Sequence, residues 1–217
     1  KEILRLDLDR ALIDYSFDFF ANRTRDEVEF VIVINEDKTD IIKYLAKYKD
    51  KFNISFTYQN PAEKEYTGAL KSAKHLFGTY NLVMLPDTRI ELHDADLYDL
   101  VSHGFTNSNF SFLYKAEKDF EMLKTKGTLH VGAGQVWAYE DKPKIHDPSM
   151  NAYWCSFAFR KHVFDEAMSF MEKSTLNLHN DTPFESSGLY GCAAIEIKDY
   201  RDLGTWGEIR RLIHDTD

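Results

Sequence analysis

The chain has 217 residues, 43% hydrophobic and 14% aromatic, which is enough for one well-packed domain and too apolar for a disordered segment. A net charge of −9 argues against a nucleic-acid partner, whose phosphates a basic surface would have to meet. No apolar run nears the roughly 20 residues that cross a bilayer, and no signal-peptide pattern opens the chain. Cys155 and Cys192 lack metal-ligand spacing, so the composition reads as a cytoplasmic protein with free, packed thiols.

In chain order, residues 11–22 carry Leu12, Ile13, Phe17 and Phe20 on one side, which predicts a helix. "EFVIVIN" (29–35) is a continuous apolar run of strand length, expected to be buried on both faces. A helix is expected over 38–49, a strand over "ISFTYQ" (54–59) and a helix over 68–77, with Ala69, Leu70, Ala73, Leu76 and Phe77 on its inner stripe. The run "LVML" (82–85) predicts a strand, followed by a short helix near 95–103 and a strand "FSFLY" (110–114). Further strands are expected at 135–143, 152–159 and 193–197, with a helix near 161–172. The last helix opens with Thr205 and Glu208 at capping-box spacing and should turn Ile209, Leu212 and Ile213 inward. This β-α-β-α rhythm predicts an α/β fold. The expected form is one domain over residues 1–217, three-layer α/β/α and Rossmann-like, with a mostly parallel mixed sheet.

In such sheets ligands sit beyond the carboxyl ends of the strands. Pro86 lacks an N–H and stops pairing there, which leaves Asp87 at the edge. A second acid, Asp202, stands before the capped helix, with Gly204 allowing a tight turn. Two carboxylates at element ends suit Mg²⁺, which takes one or two of them together with substrate phosphates. Read alone, each acid is more often turn or cap chemistry than a metal ligand. The eight histidines show no HxH or HExxH spacing, and no GxSxG or CxxC is present.

"LPDT" after an apolar strand, "EDKPK" (140–144) and "DLGTWGEIRR" (202–211) follow one another in an order that resembles the motifs of the sugar-phosphate nucleotidyltransferases. The opening "KEILRLDLDRALIDYSFDFF" is similar to that family's segment from its motif lysine into the first helix, and "TYQNPAEKEYTGALKSA" (57–73) to its base-binding strand and helix. The resemblance implies transfer of a nucleotidyl group from a nucleoside triphosphate to a sugar 1-phosphate, with release of pyrophosphate. It makes Asp87 and Asp202 the ligands of a catalytic Mg²⁺ and Lys142 the contact to the sugar phosphate. Gln59, Thr67 and Gly68 then read the base and approach the ribose, and Lys1 closes a glycine-rich phosphate loop expected upstream of residue 1. The partners implied are the two phosphorylated substrates, with no nucleic acid or membrane, and an oligomer is left open.

At 152–157 the chain has Trp154-Cys155 where many members carry a glycine, which suggests a smaller or differently shaped acceptor bounded by Tyr153 and Trp154. Phosphocholine cytidylyltransferases share the fold and fit that suggestion. Two readings stand beside these. A glycosyltransferase using a nucleotide-sugar would want an internal Asp-x-Asp on a strand end; "DLD" (7–9) and "DAD" (94–96) occur, but neither follows a buried apolar strand. A non-catalytic sensor would bind nucleotide or sugar phosphate without turnover.

Overall fold

The structure is a computed structural model that describes residues 3–4, 10–63, 65–93, 95–175 and 183–214. Lys1, the side chains of Leu212 and Ile213, and "DLD" lie outside the described residues. The chain divides into two compact units. The first comprises Lys1–Gly78, Pro86–Thr88 and Asp202–Asp217, and the second Thr79–Leu85 and Arg89–Arg201.

In the first unit, β1 (Glu29–Ile34) pairs in parallel with β2 (Asn53–Tyr58), from Glu29↔Asn53 to Ile34↔Tyr58. The expectation of burial on both faces fails for β1: only Ile34 is buried and the residues before it are half-buried or exposed. The first helix is also shorter than expected, α1 covering only Asp14–Asp18. The Asp14 carboxylate accepts the Ala11 N–H at 2.8 Å. Phe17 stacks on Phe30 at 4.0 Å and on Tyr48 at 4.3 Å, and this aromatic packing ties α1 to the strand pair. Helix α2 (Asp40–Leu45) is flanked by single 3₁₀ turns. Helix α3 runs Glu65–Ala73, three residues earlier than the periodicity suggested.

The second unit is built on a six-stranded sheet. Strand β3 (Tyr80–Val83) lies antiparallel to β8 (Ala152–Arg160), and β8 antiparallel to β5 (Phe110–Ala116). The order continues through β9 (Ala193–Glu196) and β7 (Gln135–Asp141) to β6 (Gly127–Gly132). Strand β6 then returns to β8 through Thr128↔Tyr153 and Leu129↔Ala152, which closes a ring of pairings. Among the pairings described only β5–β9 is parallel in this sheet, so the sheet is mixed as expected but mainly antiparallel, not mostly parallel. The cause is local. Strands β6 and β7 are joined by Ala133 and Gly134, both with positive φ (52° and 74°), and a two-residue turn can connect only antiparallel neighbours.

Helix α4 (Leu97–Asn107) begins at an Asp96 cap whose carboxylate accepts the N–H groups of Tyr98 and Asp99. Helix α6 (Phe164–Thr175) buries Phe164, Ala167, Met168, Phe170 and Met171, and a short α5 (Phe120–Leu123) precedes β6. Cys155 and Cys192 are both buried, free thiols that burial pushes well above their ordinary pKa, in keeping with packing roles. Strands β4 (Thr88–Glu91) and β10 (Asp199–Asp202) form a separate two-stranded pair, and α7 (Trp206–His214) follows β10.

Candidate functional site

The β4–β10 pair brings the two acids together. Leu203 N–H donates to the Asp87 carbonyl at 2.8 Å and Lys198 N–H to the Glu91 carbonyl at 2.9 Å, which sets the strands antiparallel. Asp87 immediately precedes β4 and Asp202 ends β10, so both stand at the same end of the pair. Between them lies Gly204. A Cβ built on it would sit 2.7 Å from Asp202 Oδ1 and 3.5 Å from Asp87 Oδ2, so both carboxylates face one spot. The Gly204 N–H donates to Asp202 Oδ1 at 2.9 Å, which fixes that carboxylate by a side-chain turn. Leu203 is fully buried with Leu12 and Ile209 beneath the turn. Asp87 therefore belongs to the turn after β3, and not to the end of a strand in a parallel sheet. What holds it is its neighbour strand.

Two hard oxygen donors converging without histidine or thiolate suit Mg²⁺, which keeps waters and takes its remaining ligands from phosphates. Among the described residues no group of three or more metal-binding side chains occurs. A two-carboxylate site needs substrate to complete it.

The residues expected at the base occupy the same unit. Gln59 N–H donates to the Ile34 carbonyl at 2.8 Å, prolonging the β1–β2 pairing. Its Nε2 donates to the carbonyls of Glu63 (2.9 Å) and Glu65 (3.2 Å), so the side chain braces the loop before α3. Thr67 lies inside α3 and not at its cap. It is fully buried, and its hydroxyl has no hydrogen-bond partner among the described residues. Gly68 is also buried, and a Cβ there would meet the Glu63 backbone oxygen at 2.5 Å. The role this geometry gives Gly68 is close packing of helix on loop.

The residues expected at the acceptor lie in the second unit. Lys142 follows β7 with φ +50°, its N–H donating to the Lys126 carbonyl at 2.9 Å. Its exposed Nζ stands 3.7 Å from Asp141 Oδ2. Tyr153 is buried and meets Tyr200 edge-on at 5.9 Å. Trp154, the next residue along β8, faces the opposite way. Its indole covers Gly127, where a Cβ would lie 2.0 Å from Nε1. Of the two expected pocket residues, Trp154 packs against Gly127 and Tyr153 against Tyr200. Asp141 and Gly127 are cross-strand partners in β7 and β6, a pairing not read from the sequence. The one signal for Asp141 is that it directly precedes the motif lysine.

No family model and no curated protein matches the chain. Solved structures do match its fold over almost its whole length, and the fold is that of the sugar-phosphate nucleotidyltransferases. One is described as a glucose-1-phosphate thymidylyltransferase from Bacillus anthracis in complex with a sucrose, with TM-score 0.74 and 15% identity over 99% of this chain and 85% of that one. Another is an apo UDP-glucose pyrophosphorylase, with TM-score 0.74 and 15% identity over 100% of this chain and 89% of that one. A UDP-glucose pyrophosphorylase complexed with UDP-glucose gives 0.69 and 15%, over 100% and 89%.

Proposed function

We propose that residues 1–217 work as a nucleotidyltransferase domain. The reaction joins a nucleoside triphosphate to a sugar 1-phosphate or a small alcohol phosphate and releases pyrophosphate. The observation that carries this reading is the convergence of Asp87 and Asp202 on Gly204, in a fold shared with UDP-glucose pyrophosphorylases. An oxygen of the acceptor phosphate attacks the α-phosphorus, the new P–O bond forms, and the α–β bridging bond breaks as pyrophosphate leaves. The nucleophile is already ionised at neutral pH, so positioning and cations supply the catalysis and no general base is required.

In this reading Asp87 and Asp202 hold Mg²⁺, which when bound would offset charge on the reacting phosphates. Lys142 supplies fixed positive charge to the acceptor phosphate. With Nε2 committed to the loop, Gln59 has Oε1 left to accept from a base, and Thr67 and Gly68 hold the helix beside it. The glycosyltransferase reading is weaker, because Asp96 of "DAD" is committed to capping α4.

Pyrophosphate release should require Mg²⁺ and one triphosphate–acceptor pair from a panel that includes sugar 1-phosphates and phosphocholine. Asp87→Asn and Asp202→Asn should each lower the rate by about 10²–10³-fold. Nucleotide binding with no release from any pair would favour the sensor reading, and sugar transfer without pyrophosphate would favour the glycosyltransferase.

A further inference from the structure

Trp206 stands beside the two acids, and the proposed reaction leaves it without a task. The chain has three tryptophans. Trp137 and Trp154 are half-buried, whereas Trp206 is 63% exposed and its side chain makes no ring contact or hydrogen bond among the described residues. A lone exposed apolar side chain needs no explanation in itself. The position of this one does.

Thr205 caps α7: its Oγ1 accepts the Glu208 N–H at 3.3 Å and its carbonyl the Ile209 N–H at 3.2 Å, which makes Trp206 the first residue of the helix. Leu203 and Ile209 are buried with Leu12, so the chain is pinned on both sides of Trp206. Helical side chains lean toward the N-terminus and cover the turn before their own Cα. For Trp206 that turn includes Gly204, two residues back and at most about 7 Å away along the chain. Gly204 is the spot both carboxylates face. These residues all belong to the first unit. Transfer at that spot has a competitor. Water can replace the acceptor: its oxygen attacks the α-phosphorus, the α–β bridging bond breaks, a proton passes to solvent, and nucleoside monophosphate leaves with pyrophosphate. Excluding water suppresses this, and an indole is large, rigid and mostly apolar.

We propose that Trp206 packs over the triphosphate at Asp87 and Asp202 and keeps water from the α-phosphorus, so that transfer to the acceptor prevails over hydrolysis. This rests on the nucleotidyl-transfer reading and deepens it, since Trp206 then selects the nucleophile. Binding of the triphosphate buries the indole.

The test follows the quenching of tryptophan emission by acrylamide in the full chain, with Mg²⁺ and a non-reacting analogue of each nucleoside triphosphate, and calorimetry on the same mixtures. Where an analogue binds, quenching of the wild type should fall, and Trp206→Phe should abolish that fall by removing the exposed fluorophore. In turnover, Trp206→Ala should raise hydrolysis to nucleoside monophosphate, relative to transfer, by about tenfold, the scale of one aromatic contact. Trp206→Phe should keep most of the wild-type ratio, because a smaller ring still covers the site. Unchanged quenching with an analogue that calorimetry shows to bind would overturn the proposal and leave the nucleotidyltransferase standing. So would an equal loss of transfer and hydrolysis in Trp206→Ala, which marks a residue that only holds α7 in place. Should Trp206→Ala fail to fold, the quenching of wild type against Trp206→Phe decides. No analogue binding, and no pyrophosphate from any pair, would remove the nucleotidyl-transfer reading and this inference with it.

Discussion

A methyl group added at Gly204 would meet Asp202 Oδ1 at 2.7 Å, and that atom is the end of a side chain that can swing away. Gly204→Ala is therefore expected to spare the fold and displace the carboxylate. The rate of pyrophosphate release should fall by about 10²-fold, the scale of an ångström-sized misplacement, with the melting temperature nearly unchanged. An unaltered rate would mean that Asp202 is only a turn residue. Thr67 poses the complementary question, because its buried hydroxyl lacks a partner among the described residues. Thr67→Val should hold or raise stability by up to about 1 kcal/mol. If the residue belongs to the base site, nucleotide affinity should fall, whereas unchanged affinity would remove Thr67 from it. Asp87, Asp202 and Lys142 drew attention in the sequence because their motifs stand in a fixed order, and the structure brings the two acids to one spot at Gly204. The Gly127–Asp141 pairing left no such mark, because pairing partners distant in the chain leave no local pattern.

At the scale of elements, the junction of α1 and α2 depends on one buried acid. Asp14 accepts Tyr44 Oη at 2.5 Å, Lys47 Nζ at 2.8 Å and Tyr48 Oη at 3.0 Å, besides the Ala11 N–H. Burial alone would raise its pKa, but Lys47, Tyr44, the Ala11 N–H and Tyr48 together hold it below its ordinary value of 3.8. The stability this provides is full above the unfolded value and is lost as pH falls below it toward the lower folded one. Asp14→Ala should cost about 3 kcal/mol by denaturant unfolding at neutral pH, and the difference from wild type should shrink in acid below the ordinary carboxylate range. A difference that stays constant down through that range would show that the acid contributes packing and not charge. Most of these elements were legible from hydrophobic period, including the helical stretches around α2 and α6 and strands β5 and β8. Strands β4, β6 and β10 were not, because "TRIE" and "DYRD" are charged and short and "GTLHVG" is bounded by glycines. Their strand state comes from pairing, not propensity.

At the scale of the whole molecule, an alternating β-α sequence implied a mostly parallel mixed sheet, whereas the pairings of the six-stranded sheet are mainly antiparallel, one of them fixed by the turn at Ala133–Gly134. The α/β class could be read from periodicity. The ring closure of β6 onto β8 could not, since only two residue pairs carry it. Net charge acts at this scale too. With 36 acidic and 27 basic residues, the protein's field opposes the approach of triphosphate and acceptor alike, while its cations act only at short range. Raising monovalent salt from about 10 mM to about 150 mM shortens the screening length from roughly 30 Å to 8 Å. That weakens the long-range repulsion more than it weakens contacts at Lys142. With Mg²⁺ saturating, kcat/KM should thus stay level or rise by up to about twofold across this range. A basic phosphate-binding surface would instead lose affinity steeply, as counterion release requires. A steep fall measured here would mean that a local positive field, and not the acidic whole, governs encounter with the substrates.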